Sequence, residues 1–201
     1  MRPESLVTDH TIYACVMGSR ALGLATEGSD TDRRGVVLAP TPLFWRFEKP
    51  PTHVEGPADE QFSWELERFC ELALRDAFLF RGVHETFVRY AHGRRRKLDA
   101  DVRTHGAPRW KHAMHLLRLL TSARDLLRTG VLTVDVGDRR EELLEVRRGE
   151  VPWPEVEARM NRLVREAEEA AAGSPLPGEP DRRRVEDFLT RTRRASALRA
   201  A

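Results

Sequence analysis

The sequence predicts an α+β fold in which a small β-sheet precedes a helical C-terminal half. Two features of the 201 residues lead to this prediction. Up to residue 64, short β-branched and apolar segments alternate with turns that are rich in proline and glycine. From Glu65 onwards, apolar residues recur with the spacing of helices. We therefore expect two domains, one over residues 1–75 that holds the sheet and a helical one over residues 76–201.

The first predicted strand, Thr11–Val16, is β-branched, aromatic and apolar, which predicts that it is buried. Gly18 and Ser19 follow it in a predicted tight turn, and a short helix is expected to begin at Arg20. The N–H groups at the start of such a helix have no partners within it and bind anions. The pattern therefore predicts an anion-binding loop at the end of the first strand.

The second predicted strand, over residues 30–38, begins with two carboxylates, Asp30 and Asp32. Because side chains alternate along a strand, both point to the same face, about 6–7 Å apart. Two negative charges at this spacing repel each other unless a cation lies between them. Mg²⁺ takes oxygen ligands and also binds phosphates. The two aspartates therefore predict a magnesium site beside the anion-binding loop.

A loop, a third strand and a helix are expected next. The prolines at 40 and 42 end the second strand, and Pro50-Pro51 and Gly56-Pro57 bound a predicted loop that includes His53 and Glu55. Residues 59–64 are expected to carry a third strand into the helix. Residues 65–75 then predict an amphipathic helix, because their apolar residues are spaced i, i+3, i+4, i+7 and i+8. These apolar residues are Leu66, Phe69, Cys70, Ala73 and Leu74.

The motif around the two aspartates resembles that of a known superfamily. Gly18-Ser19, followed after ten residues by Asp30-x-Asp32, is similar to the Gly-Ser…Asp-x-Asp signature of the DNA polymerase beta-type nucleotidyltransferases. The longer stretches 18–21 and 29–36 resemble a bacterial branch of predicted nucleotidyltransferases, of which some members are linked to RNA repair. The resemblance implies a small mixed β-sheet nucleotidyltransferase core that is flanked by helices and followed by a helical half.

The resemblance also implies a reaction and its metal ligands. A nucleoside monophosphate would move from a nucleoside triphosphate to an acceptor hydroxyl, with release of pyrophosphate and with an RNA end as the favoured acceptor. Asp30 and Asp32 would hold Mg²⁺ together with a third carboxylate on a neighbouring strand. Glu60 is our choice for this acid and Asp59 is the alternative, because a shift of one residue reverses the side-chain face. A solvent-exposed loop acid is the other interpretation of Glu60.

A polar stripe marks the most apolar predicted helix, which begins at Trp110 and ends at Gly130. Lys111, His115 and Arg118 recur there at i, i+4 and i+7, and so share one face. Burying such groups without partners is costly, so either a carboxylate or a phosphate faces them, or they line a cleft. The resembled family carries a similar string, which implies nucleotide binding; a helix of structural salt bridges is the alternative. The predicted nucleotide-binding residues are thus Gly18, Ser19, Arg20, Lys111, His115 and Arg118.

Four further helices are predicted in the C-terminal half. They cover residues 76–103, residues 138–148 with Asp138 as N-cap and Gly149 at the end, a stretch after Pro152-Trp153-Pro154, and a last helix capped by Asp181. The tail, residues 191–201, is expected to be frayed.

Composition limits the cellular setting. The formal net charge is +2, and no apolar run approaches the length that spans a membrane. The N-terminus has no apolar signal segment, and the two cysteines have no metal-type spacing. These features predict a cytoplasmic protein with reduced cysteines and no membrane partner.

A catalytically impaired protein of the same fold is the main alternative function. Members of the resembled family continue after the helix at 65–75 with an Asn-Pro-containing segment, whereas this chain runs into residues 76–80 and is shorter. Such a protein would be a nucleotide- or RNA-binding module or a toxin–antitoxin component. A plain RNA-binding protein that uses the basic clusters at 94–97 and 182–184 is a further possibility, and it predicts strongly salt-dependent binding.

Overall fold

The computed structural model describes residues 3–76 and 83–199. Within these ranges the chain divides into two compact units. The first, here called the sheet unit, comprises residues 3–21, 25–76 and 180–199. The second, the helical unit, comprises residues 22–24 and 83–179. The predicted division into domains at residues 75 and 76 concerns independent folding and stays a prediction.

The described residues contain both strands and helices, so the predicted α+β class is confirmed. The sheet unit holds α1 (Pro3–His10), β1 (Thr11–Val16), α2 (Gly18–Ala21), β2 (Arg33–Val37), β3 (His53–Glu55), β4 (Gln61–Glu65), α3 (Leu66–Asp76) and α8 (Arg182–Arg199). The helical unit holds α4 (Val83–His105), α5 (Trp110–Thr129), α6 (Arg140–Arg148) and α7 (Trp153–Ala172). Short 3₁₀ helices cover Thr41–Trp45 and Gly137–Arg139. None of the helices in these ranges is long and apolar enough to span a membrane.

The strands form one mixed sheet in the order β1-β2-β4-β3. β2 is antiparallel to β1 and parallel to β4, while β3 is antiparallel to β4. β3 lies where a loop was predicted, and that prediction was wrong. The strand has three residues, of which only Val54 is buried, so it is too short to show an alternating pattern in the sequence.

Helices cover both faces of the sheet. On one face Leu6 and Val7 of α1 pack with Val37 and Val54. On the other face Val36 packs with residues of α3 and α8. The predicted cap of α8 is confirmed, since the Arg184 N–H donates to Asp181 Oδ1 at 2.9 Å. The predicted fraying of residues 191–201 was wrong for the described part, because α8 continues to Arg199.

Helix α5 lies at the centre of the helical unit and contacts α4, α6 and α7. It ends at Gly130, whose left-handed φ of 72° confirms the predicted cap. The prediction that Asp138 caps α6 was wrong. Asp138 lies within a 3₁₀ turn that leads directly into α6, and Asp135 Oδ1 accepts the hydrogen bond from the N–H of Gly137 at 2.7 Å instead.

Two of the sequence predictions concern residues that lie partly or wholly outside the described ranges. α4 confirms the predicted helix over residues 76–103 from Val83 onwards. Residues 77–80, where the sequence departs from the family pattern, lie outside the described residues. Cys15 and Cys70 are both free thiols, of which Cys70 is buried.

Candidate active site

The contact between Gly18 and Asp32 defines the candidate site. Gly18 has a φ of 65°, and a Cβ built there would lie 1.9 Å from Asp32 Oδ2. Only glycine therefore fits, both for its backbone conformation and for the space that the carboxylate occupies. The N–H of Met17 donates to the carbonyl of Asp32 at 2.8 Å, which joins the end of β1 to the start of β2.

Arg34 links Asp32 to the neighbouring strand. Its Nη2 lies 3.4 Å from Asp32 Oδ1, and its Nη1 donates to the carbonyl of Glu60 at 3.1 Å. The side chains of Asp32 and Arg34 are 25% and 31% exposed, so a ligand can reach both. Arg34 was not among the predicted site residues. Its position two residues after Asp32 in the predicted strand over residues 30–38 is the sequence signal that could have placed it on the same face.

Glu60 reaches this end of the sheet through the register of the strands. Arg33 pairs with Gln61 in the parallel ladder, and the N–H of Arg33 donates to the carbonyl of Glu60 at 2.8 Å. Glu60 has a φ of 53°, a strained value for a residue with a side chain, and such strain is found at functional sites. Both Glu60 and its alternative Asp59 are exposed, and only Glu60 makes these links to β2.

Asp30 and Asp32 precede β2 instead of lying in it, because the strand begins at Arg33. The guanidinium of Arg20 holds this segment, since Nε donates to the carbonyl of Asp30 at 3.0 Å and Nη2 donates to that of Ser29 at 2.8 Å. Arg20 therefore braces the aspartate segment from α2. Asp30 is exposed, whereas Asp32 is half-buried.

The predicted acids Asp30, Asp32 and Glu60 do not form one metal-binding cluster. Among residues 3–76 and 83–199, no three or more His, Cys, Asp and Glu side chains are placed to hold a metal ion together. Ser19 is half-buried in α2, which has only four residues. The structure thus joins Gly18, Asp32 and the backbone of Glu60, while the shared metal site stays a prediction.

The other three predicted nucleotide-binding residues lie on α5 in the helical unit. Lys111 is exposed, and His115 and Arg118 are half-buried. Burial and the positive charges of Arg118, Lys111, His112 and Arg147 lower the pKa of His115 to about 4. His115 is therefore neutral at pH 7, and its surroundings are cationic.

Residues 4–77 match the RlaP family. The family is described as the RNA repair pathway DNA polymerase beta family, so the resemblance to polymerase beta-type nucleotidyltransferases is confirmed for this segment. The RlaP match contains Gly18, Asp32 and Glu60 but not α5. No curated protein and no solved structure gave a significant match to the chain.

Substitution Gly18→Ala tests the contact that defines the site. Alanine at a positive φ is expected to lower the free energy of unfolding by about 1–2 kcal/mol, and its Cβ has to displace the Asp32 carboxylate. Gly28→Ala is the matched control, because Gly28 has a φ of 80° but nothing within 4 Å of a Cβ. Urea unfolding should show a lower free energy of unfolding for both variants, whereas the rate of pyrophosphate release should fall only for Gly18→Ala. Equal activity of the two variants would contradict the role of the Gly18–Asp32 contact.

Proposed function

We propose that this protein is a Mg²⁺-dependent nucleotidyltransferase that transfers a nucleoside monophosphate to an acceptor hydroxyl, with an RNA end as the acceptor. The observation that carries the proposal is the packing of the Asp32 carboxylate against Gly18, within the segment that matches RlaP. Because Gly18 has no side chain, the partly exposed Asp32 carboxylate can lie against the backbone at the start of α2, which would bring a metal ligand next to the N–H groups that are proposed to bind phosphate.

The residues present suit Mg²⁺. This ion is commonly bound by one or two carboxylates together with substrate phosphates, and Asp30 and Asp32 supply such carboxylates on one short segment. These two acids, with Glu60 as the third, would hold it. When bound, the metal would neutralise charge on the phosphates and favour ionisation of the acceptor hydroxyl.

The chain's own residues position the reactants. Gly18 lets the triphosphate approach the backbone, and the Ser19 hydroxyl donates a hydrogen bond to it. Arg20 keeps the aspartate segment in place through the carbonyls of Ser29 and Asp30. Arg34 orients the Asp32 carboxylate. The acceptor oxygen forms its bond to the α-phosphorus while the bond from that phosphorus to the pyrophosphate oxygen breaks.

A nucleotide- or RNA-binding module of the same fold, including a toxin–antitoxin component, is the second candidate. The exposed side chain of Glu60 and the lack of a three-acid cluster among the described residues favour it. Calorimetry with the four ribonucleoside triphosphates and Mg²⁺ separates the two functions. Binding without any product would support the module.

Incubation with each α-³²P-labelled nucleoside triphosphate, total RNA and total protein tests the proposed reaction. We expect label in the RNA pool, dependent on Mg²⁺. Label in the protein pool alone would show that the acceptor is a protein hydroxyl and not an RNA end. No label in any pool would contradict the transfer reaction itself. The control variant Glu27→Gln removes an exposed acid from the same loop and should label as well as the unaltered protein.

A further inference from the structure

Helix α8, which packs on the sheet in the sheet unit, concentrates positive charge on its surface. Its sequence holds seven arginines against two acids, which leaves an excess of five positive charges. The formal net charge of the whole chain is only +2. Every arginine of the helix except Arg193 is exposed. The helix therefore presents a cationic surface to the solvent.

The exposed arginines of α8 have no carboxylate partners. Among residues 3–76 and 83–199, Arg193 is the one arginine of this helix that forms ion pairs, the shorter of them with Glu65 at 2.6 Å. The exposed Arg148 of the helical unit differs, because it pairs with both Glu141 and Glu150. The outer guanidinium groups of α8 are therefore free to bind an anion that the described chain does not supply.

An aromatic ring lies among these arginines. Phe188 is 45% exposed. Arg184 precedes it by four residues and Arg191 follows it by three, so the three side chains share one face of the helix. The two arginines are about 10.5 Å apart along the helix axis. Proteins that bind single-stranded nucleic acid combine cationic groups for the phosphates with aromatic rings on which bases stack, and this Arg184–Phe188–Arg191 face has both.

The Arg184–Phe188–Arg191 face is not used by the contacts of α8 with the sheet. Val185 and Leu189 pack against the cluster that contains Val36, whereas Phe188 is not part of it. The apolar side chains of the first half of the helix are thus mostly turned to the sheet. An amphipathic helix that enters a membrane surface needs a broad apolar face, so the exposed side of α8 suits a nucleic acid better.

The direction of α8 places this face near the candidate active site. The first half of the helix packs on the cluster of Val36, and the later residue Arg193 donates to the carbonyl of Ala39. The helix therefore runs along β2 in the direction of that strand. Its first turns point back towards the start of β2, where Asp32 lies. A strand bound on this face would lie on the side of the sheet unit that leads to Asp32.

The basic run at residues 94–97 is the other cluster that the sequence suggests for RNA binding, and its contacts differ. Arg94 Nε donates to the hydroxyl of Tyr90 at 2.8 Å, and its guanidinium lies over the Tyr90 ring. Arg95 pairs with Asp99 at 2.9 Å. Two arginines of this run are thus engaged within the described chain, so a nucleic-acid site has more support on α8.

We infer that the Arg184–Phe188–Arg191 face binds single-stranded RNA, with the two guanidinium groups on backbone phosphates and the phenyl ring stacked on a base. α8 lies outside the segment that matches RlaP, so the family match does not assign this site. The inference rests on the proposed function in one respect, since the bound strand would be the acceptor whose end reaches Asp32. The binding itself needs neither Mg²⁺ nor a nucleoside triphosphate.

Fluorescence anisotropy with the full chain tests the inference in EDTA and without any nucleoside triphosphate. The probe is a labelled oligouridylate of about 12 nucleotides, a length within the usual site sizes for single strands. We expect its affinity to fall as the salt concentration rises, because binding releases counterions from the phosphates. A duplex RNA of the same length should bind less tightly, since its bases are not free to stack on a ring.

Three variants separate the parts of the face. Arg184→Gln and Arg191→Gln should each reduce the slope of log affinity against log salt by about 0.7, which is the loss of one phosphate contact on a single strand. Phe188→Leu should keep the slope and weaken binding at least about fivefold, because base stacking is lost. The control Arg148→Gln removes one exposed cation elsewhere and should bind RNA as the unaltered protein does. All four positions are exposed or partly exposed, so the melting temperatures should stay close together.

Three results would overturn the inference. The first is an unchanged salt slope in both Arg184→Gln and Arg191→Gln, with affinities equal to that of Arg148→Gln. The second is unaltered binding by Phe188→Leu. The third is equal affinity for polyglutamate or for vesicles of anionic lipid, which would assign the face to an acidic protein or to a membrane. RNA binding that follows the expected pattern without any transfer of label would support this site and contradict only the proposed reaction.

Discussion

Asp32→Asn is expected to abolish Mg²⁺-dependent release of pyrophosphate while the protein stays folded. The amide keeps the shape of the carboxylate but loses the negative charge that binds the metal. Because metal ions contribute several kcal/mol to such reactions, we expect a loss of about 10³-fold or more. The melting temperature should change little, since the partly exposed pair with Arg34 at 3.4 Å contributes about 1 kcal/mol at most. Loss of the pair with Arg34 would lower the melting temperature slightly, and relief of the repulsion between Asp32 and Asp30 would raise it.

A second aspartate variant and a control variant complete the Asp32→Asn experiment. Asp30→Asn should have the same effect, because both acids are proposed to hold the metal. Glu27→Gln should retain activity, since Glu27 is exposed and belongs to the turn before them. Turnover is measured as pyrophosphate released per enzyme. Normal turnover by either aspartate variant would contradict the proposed metal site.

Local sequence patterns predicted the elements whose evidence is local. β1 is a run of β-branched and apolar residues, and α5 combines apolar spacing with a glycine at its end; both occur where they were predicted. The prediction that β1 is buried was wrong, because it is an edge strand of the sheet and five of its six residues are exposed. β3 and the full length of α8 were missed. Val54 is buried by α1 and β2, which are distant in sequence, so three residues alone carry no such signal. Tertiary contacts decide these elements.

The candidate site was predictable to a similar extent. The Gly-Ser…Asp-x-Asp spacing pointed to Gly18 and Asp32, and the two residues are in contact. The role of Arg34 in joining Asp32 to the carbonyl of Glu60 was not predicted, because it depends on the parallel register of β2 and β4.

Helix α8 provides the clearest case of such a long-range contact. Arg193 Nη2 lies 2.6 Å from Glu65 Oε1, and the Arg193 guanidinium also donates to the carbonyl of Ala39 at 3.1 Å. It lies over the ring of Phe44 at 4.1 Å from its centre. Glu65 is only 3% exposed at the end of β4. The pair therefore fixes the last helix to the sheet, although 128 residues separate its partners.

Arg193→Met is accordingly expected to lower the free energy of unfolding by about 3–5 kcal/mol, because it leaves the Glu65 carboxylate buried without its partner. Arg194→Met removes an exposed arginine next to it in the helix and should change the stability by less than about 0.5 kcal/mol. The double variant Arg193→Met/Glu65→Met should recover most of the loss, since no buried charge remains. Urea unfolding measures all three. If Arg193→Met were no less stable than Arg194→Met, the ion pair would not hold α8 on the sheet, and the frayed tail that the sequence predicted would be the better description.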